Sequence, residues 1–149
     1  MKLTGSGPLI AIPTFTYFLL ALIISASLKP LFMITESNYR LLVVIAVIML
    51  AVDMVNLVAC GIRLFKSNKQ KTLITNGIYK VCRNPLYVSH VFLTIPALSL
   101  LLNSWLLFTT TIVGFVSILI FAPREYKSLE EEFGDEYRRY VKSVWIKFI

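Results

Sequence analysis

The residues of this chain best equipped for chemistry fall in two short polar blocks. Residues 73–87, LITNGIYKVCRNPLY, offer Tyr79, Tyr87, Arg83 and Asn84 within one loop and helix start. The second block is Pro123-Arg124-Glu125, followed by Leu129, Phe133-Gly134 and Tyr137. Thr75-Asn76-Gly77 is a turn signal, and Pro85 stands at a favoured proline position, the head of a helix. Residue types alone leave the first block open to two readings. It is either a ligand-binding loop that dips to a membrane surface, or an ordinary cytoplasmic loop with interfacial tyrosines and snorkelling bases.

The elements that must position these blocks are apolar. Of 149 residues 57% are hydrophobic and the mean hydropathy is +0.76, against about 45–50% apolar in soluble domains. The length allows one domain, residues 1–149. Four runs approach the ~20 residues needed to span a bilayer core: 8–28, 41–61, 86–102 and 104–122. They lack the alternation of barrel strands, and helices satisfy their own backbone groups in lipid. The expected fold class is therefore all-α, a four-span integral membrane protein with a cytoplasmic helical tail. The first run exceeds the ~7–15 residues of a signal-peptide core and is expected to remain as a span. The membrane bilayer is thus the first partner.

Charge orients the spans. Arg63, Lys66, Lys69, Lys71, Lys80 and Arg83 lie between runs two and three with no acid among them. Arg124, Lys127, Arg138, Arg139, Lys142 and Lys147 follow run four. With both termini cytoplasmic, thirteen basic residues face inward and two, Lys29 and Arg40, face outward. The formal charge of +7 is then a topology signal, with attraction to anionic headgroups second. Bases that border lipid spans, with no recognition motif, argue against nucleic acid. Cys60, Cys82 and the single His90 have no metal spacing, so no metal is expected, and both thiols should be reduced on the cytoplasmic side.

The short outer loop predicts a hairpin of spans one and two. Asn103-Ser104, the only polar break between runs three and four, predicts a tight antiparallel pair with Asn103 as the helix N-cap. Pro96 should kink span three, and Pro123 should kink or break the helix leaving span four. The tail reads as helix, break, helix, with Gly134 as the stop and Asp135 starting a second turn. Tyr137, Tyr140, Val141 and Val144 form a stripe for the headgroup layer or the cytoplasmic ends of the spans.

The two blocks together carry a pattern. Leu73, Thr75, Gly77, Tyr79, Arg83, Asn84, Pro85 and Tyr87 are followed, one helical hairpin later, by Glu125, Leu129, Phe133, Gly134, Glu136, Tyr137 and Tyr140. This resembles the isoprenylcysteine carboxyl methyltransferases and the related phospholipid methyltransferases. The resemblance implies S-adenosyl-L-methionine bound by elements 71–87 and 124–140 at the cytosolic ends of the last two spans. By that likeness Lys71, Thr72, Leu73, Ile74, Tyr79, Asn84, Pro85, Leu86, Tyr87 and Glu125 line the cofactor. Glu125 would pair with its α-ammonium, and Lys71 or Arg83 with its carboxylate. Tyr79 and Tyr87 would meet the sulfonium or adenine. Methyl transfer requires an aligned acceptor and exclusion of water, with no metal.

The likeness has departures. The family usually has histidine at Asn84 and a second glutamate at Tyr126. Prenylcysteine enzymes carry an arginine, thought to hold the substrate carboxylate, at Phe121; Arg124, three residues on, is the candidate replacement. The cofactor elements therefore carry over more completely than the acceptor elements. The expected reaction is methyl transfer to a lipophilic small-molecule or lipidated acceptor reached from the bilayer. A phospholipid amine acceptor is the alternative, and a non-catalytic membrane scaffold is another. Asp53 lies inside span two, where a charge costs about 2.5–3.5 kcal/mol. It is either an acid facing the substrate cavity or an aspartate paired with Asn56 or a neighbouring helix. His90 either packs between helices or lines the cofactor pocket. Glu130-Glu131-Glu132 reads as a solvated helix face.

Overall fold

Each long apolar run coils into a helix, the one open conformation that leaves no backbone group unpaired in lipid. The computed structural model describes residues 6–70 and 72–146. Among these the order is α1 (Gly7–Ser27), α2 (Lys29–Phe32), α3 (Tyr39–Gln70), a 3₁₀ turn (Gly77–Lys80), α4 (Pro85–Ser89), a π-helical turn (His90–Thr94), α5 (Ile95–Leu101) and α6 (Trp105–Ser143). The described residues form no strand beyond two isolated bridges, Met33 with Ser104 and Cys82 with Ile146.

Three helices, α1, α3 and α6, are long and apolar enough to cross a membrane, while Pro85–Leu101 is apolar but shorter. Ile12, Phe15, Ile23, Ile48, Val55 and Phe65 stand exposed on α1 and α3. So much contiguous apolar surface is stable against lipid, not water. The second run was expected to end at residue 61, but α3 continues to Gln70. Its 32 residues reach about 48 Å, well past a ~30 Å hydrocarbon core. The extra turns carry Arg63, Lys66 and Lys69, good helix formers that need no lipid.

Several expected details of the chain path are corrected. Spans one and two do not form a packed hairpin: α1 lies along α6, α6 along α5, and α5 along α3. The pairing of α5 with α6 follows the tight link, but Asn103 is not the N-cap. That position falls to Ser104, while Asn103 adopts φ 50°. Its amide instead staples the loop between α2 and α3: Nδ2 donates to the Thr35 carbonyl at 2.7 Å, and Oδ1 accepts from the Thr35 N–H at 3.1 Å. Pro123 does not end α6; the interruption is at Gly134, with φ 51° and ψ −121°. Near Pro96 the helix widens into the π turn, where the Ile95 N–H reaches back five residues to the His90 carbonyl. A wide turn beside a proline accommodates the missing N–H and the ring.

Small residues let the helices approach. Ala21, Ser25, Thr110, Gly114 and Ser117 are buried along α1 and α6, with Ser25 donating to Ser104 Oγ at 2.6 Å. In membranes such close contact and polar bonding replace the hydrophobic drive between helices. Gly114 is the tightest point: a Cβ there would sit 2.9 Å from a Val91 methyl and 3.3 Å from the Thr14 methyl. Gly114→Leu should therefore destabilise the bundle by about 1–3 kcal/mol. Thermal denaturation in detergent micelles would register the loss, and an unchanged midpoint would show that this contact is slack.

Candidate functional site

The kink at Gly134 is compatible with glycine's freedom at positive φ, and it lets the end of α6 return to the loop between α3 and α4. Tyr137, Tyr140 and Val144 are buried together with Tyr79 and Cys60. The Tyr140 hydroxyl donates to the Tyr79 carbonyl at 2.8 Å. Beyond it the Trp145 N–H donates to the Lys80 carbonyl at 3.1 Å and the Ile146 N–H to the Val81 carbonyl at 2.9 Å. The tyrosine and valine stripe of the tail thus packs on protein, not on headgroups. Glu130 spans the kink to Arg138 at 2.8 Å, and Glu131 and Glu132 remain exposed.

The loop is anchored from the other side by α3. Arg63 Nη1 donates to the Asn76 carbonyl at 3.0 Å, and Ser67 donates to the Thr72 carbonyl. Gly77 holds φ 64°, and a Cβ there would run into the Arg63 guanidinium. Only glycine adopts that backbone freely and leaves room for the arginine.

Between loop, α3, α4 and α6 lies an open cavity. Of the residues expected from the sequence, Thr72, Leu73, Ile74, Tyr79, Arg83, Asn84, Pro85, Leu86, Tyr87 and Glu125 line it. Lys71 lies outside the described residues. Arg124 and Asp53 are not among the lining residues: Arg124 is exposed, its guanidinium carbon 5.6 Å from the Phe121 ring centroid. Asp53 is buried, bonded through Oδ2 to His90 and Thr94 and not to Asn56. Leu64, Ser67, Leu129, Phe133 and Tyr140 complete the wall. Leu64 and Ser67 were missed because the second run was expected to end at residue 61, short of the helical turns that carry them.

Glu125 is the cavity's acid. Its Oε2 accepts from the Ser6 hydroxyl at 2.6 Å and from the Tyr87 hydroxyl at 3.2 Å. Ser6 is 4% exposed and escaped notice in the sequence because nothing local links it to a residue 119 positions away. The opposite wall carries Arg83, whose guanidinium carbon lies 3.8 Å over the Tyr126 ring, and Asn84, whose Nδ2 donates to the Tyr126 hydroxyl at 2.7 Å. Burial, with Cys60 and Tyr140 adding to it, pushes the Tyr79 phenol well above its ordinary range, and burial also raises the Cys82 thiol. Desolvation disfavours the charged form, so Tyr79 stays a neutral donor and Cys82 a thiol at neutral pH.

Residues 41–136 match the model of the phospholipid methyltransferase family. The match covers well over half of the chain, and the chain belongs to this family, within the wider superfamily that includes the isoprenylcysteine enzymes. No curated protein and no solved structure matches. Family membership and three long apolar helices make it an integral membrane protein of a methyltransferase family.

The returning tail predicts a specific weakness. Tyr140→Phe removes one buried bond, worth about 1 kcal/mol, and should speed amide exchange at Trp145 and Ile146 roughly fivefold. Unaltered exchange at these amides would mean that Tyr140 does not hold the tail on the loop.

Proposed function

We propose that the chain is an S-adenosyl-L-methionine-dependent methyltransferase whose acceptor is lipophilic and arrives from the bilayer. The supporting observation is that an acid of α6, Glu125, lines one cavity with a base and two tyrosines, Arg83, Tyr79 and Tyr87, from the stretch 79–87, beside apolar Leu73, Ile74 and Leu86. This donor set fits the cofactor. A zwitterionic amino-acid end calls for opposite charges, and Glu125 and Arg83 provide them. The Ser6 and Tyr87 hydroxyls both donate to Oε2 of Glu125, leaving Oε1 to accept from an ammonium. Arg83, with Lys71 ahead of it, takes the carboxylate. Tyr79 and Tyr87 present aromatic surface to the cation and the base. When bound, the cofactor supplies a methyl group on a cationic sulfur. The protein's own task is to bind it, align the acceptor and exclude water.

The acceptor that fits best is the amine of a phospholipid headgroup. The matched family is described as phospholipid methyltransferase, and Phe121 stands where a prenylcysteine enzyme has its carboxylate-binding arginine. Arg124, exposed at the membrane edge, would hold the acceptor's anionic group. In this reading Pro85–Leu101 is the third of four spans, shortened by its position beside the cavity, and both termini are cytoplasmic. Thirteen basic residues then face the cytosol.

Glu125→Ala should weaken cofactor binding by about a hundredfold or more, the scale of a lost charge-assisted bond in a partly buried site. Titration calorimetry on purified protein is the measurement, and equal affinity in wild type and variant would remove Glu125 from the role. Absence of binding to the wild type would instead favour a scaffold that keeps the fold. Tritiated methyl transfer into lipid extract, but not into prenylcysteine analogues, is the expected acceptor pattern.

A further inference from the structure

One polar cluster lies apart from the cavity lining. Asp53 of α3, 5% exposed, accepts through Oδ2 from the Thr94 hydroxyl and faces His90 Nδ1 at 3.2 Å. Its Oδ1 is buried with no hydrogen bond of its own; the Ser89 hydroxyl stands beside the carboxylate but donates to the Leu86 carbonyl at 3.3 Å. Such a group is costly in a membrane protein and usually functional. Thr94 spends its proton on Asp53, so Nδ1 faces only acceptors, the carboxylate and, at 3.2 Å, the threonine oxygen. Nδ1 must therefore carry the imidazole proton, and in the neutral ring Nε2 is a bare acceptor. Among the described residues Nε2 makes no hydrogen bond, and 43% of the His90 side chain is exposed.

The position is as telling as the tautomer. His90 opens the π turn, and its N–H bonds back to the carbonyls of Leu86 and Tyr87. Both those residues line the cavity. His90 therefore stands one helical turn beyond the cavity wall, about 7 Å along the axis from Pro85. π turns recur at functional positions because they re-aim side chains.

The geometry points to His90 as the group that receives the acceptor's amine and takes its proton, with Asp53 as the positioning residue that fixes the ring. This rests on the methyltransferase reading above and deepens it, since an ammonium has no lone pair to methylate. The ammonium N–H proton passes to Nε2. The freed lone pair forms the new N–C bond as the methyl–sulfur bond of the sulfonium donor breaks, and that bond's electrons stay on sulfur. The positive charge moves from sulfur to the methylated nitrogen, and His90 later returns its proton to water. Asp53 holds the imidazolium meanwhile. The ionisable neighbours are few: Asp53 on α3 and Tyr87 on α4, whose hydroxyl is turned to Glu125. The facing stretches of α5 and of α6 up to Ala122 carry none.

His90 is the chain's single histidine, so ¹⁵N-histidine labelling gives one residue's signals without assignment. In nanodiscs of phosphatidylcholine, which has no N–H to offer, Nδ1 should be protonated and Nε2 bare. Phosphatidylethanolamine should shift the Nε2 resonance, and Asp53→Asn should scramble the tautomer. Identical spectra in the two lipids, or a proton on Nε2 in wild type, would overturn the proposal. In turnover, His90→Gln should cut kcat with the amine lipid about a hundredfold or more and abolish the acid limb of the pH profile, with cofactor affinity by calorimetry unchanged. Cofactor binding with undiminished turnover in His90→Gln would sink the histidine's role while leaving the methyltransferase reading intact. Failure of the wild type to bind cofactor would sink that reading, and the lipid-dependent shift would still decide whether His90 receives an amine.

Discussion

The site depends on the end of α6 staying seated on the loop between α3 and α4. That loop has little regular structure of its own, a single 3₁₀ turn over Gly77–Lys80. What gives it shape is the seam of Tyr140 on the Tyr79 carbonyl and Ile146 on Val81, with Arg63 gripping Asn76 from α3. These bonds are short-range and directional, and that of Tyr140 lies where burial makes an unpaired carbonyl expensive. Without them, Tyr79 and Arg83 would have no fixed relation to Glu125.

Beneath that seam the molecule is organised by lipid as solvent. Its exposed leucines, isoleucines and valines need no partner, so stability between helices must come from close approach and internal polar bonds. Gly114, Thr110 and Ser117 supply the first on α6, and Ser25 with Ser104 and Tyr17 with Thr109 supply the second. The same economy explains the row α1, α6, α5, α3. Neighbours are chosen by where small and polar faces match, not by which spans follow one another in the chain.

Two departures from the family pattern turn out to be partners. Asn84 and Tyr126, the two positions at which the sequence departs from the resemblance, hydrogen-bond each other at 2.7 Å, and Arg83 stacks on the same tyrosine. The neutral pair ties α6 to the head of α4.

The sequence by itself determined what local chemistry controls. The family resemblance pointed to Tyr79, Asn84–Tyr87 and Glu125, which line one cavity. Apolar run length set the helices, Gly77 marked the turn and Gly134 marked the interruption. Each follows from backbone conformation or from transfer into lipid, and both act over a few residues. Tertiary structure alone decided the rest. It assigned Asn103 to the loop between α2 and α3 instead of a cap, let α6 pass through Pro123, laid α1 against α6, set Asp53 against His90, and brought Ser6 to a carboxylate 119 residues away. Those outcomes depend on which surfaces meet once the helices are side by side, and no periodicity within one helix carries that information.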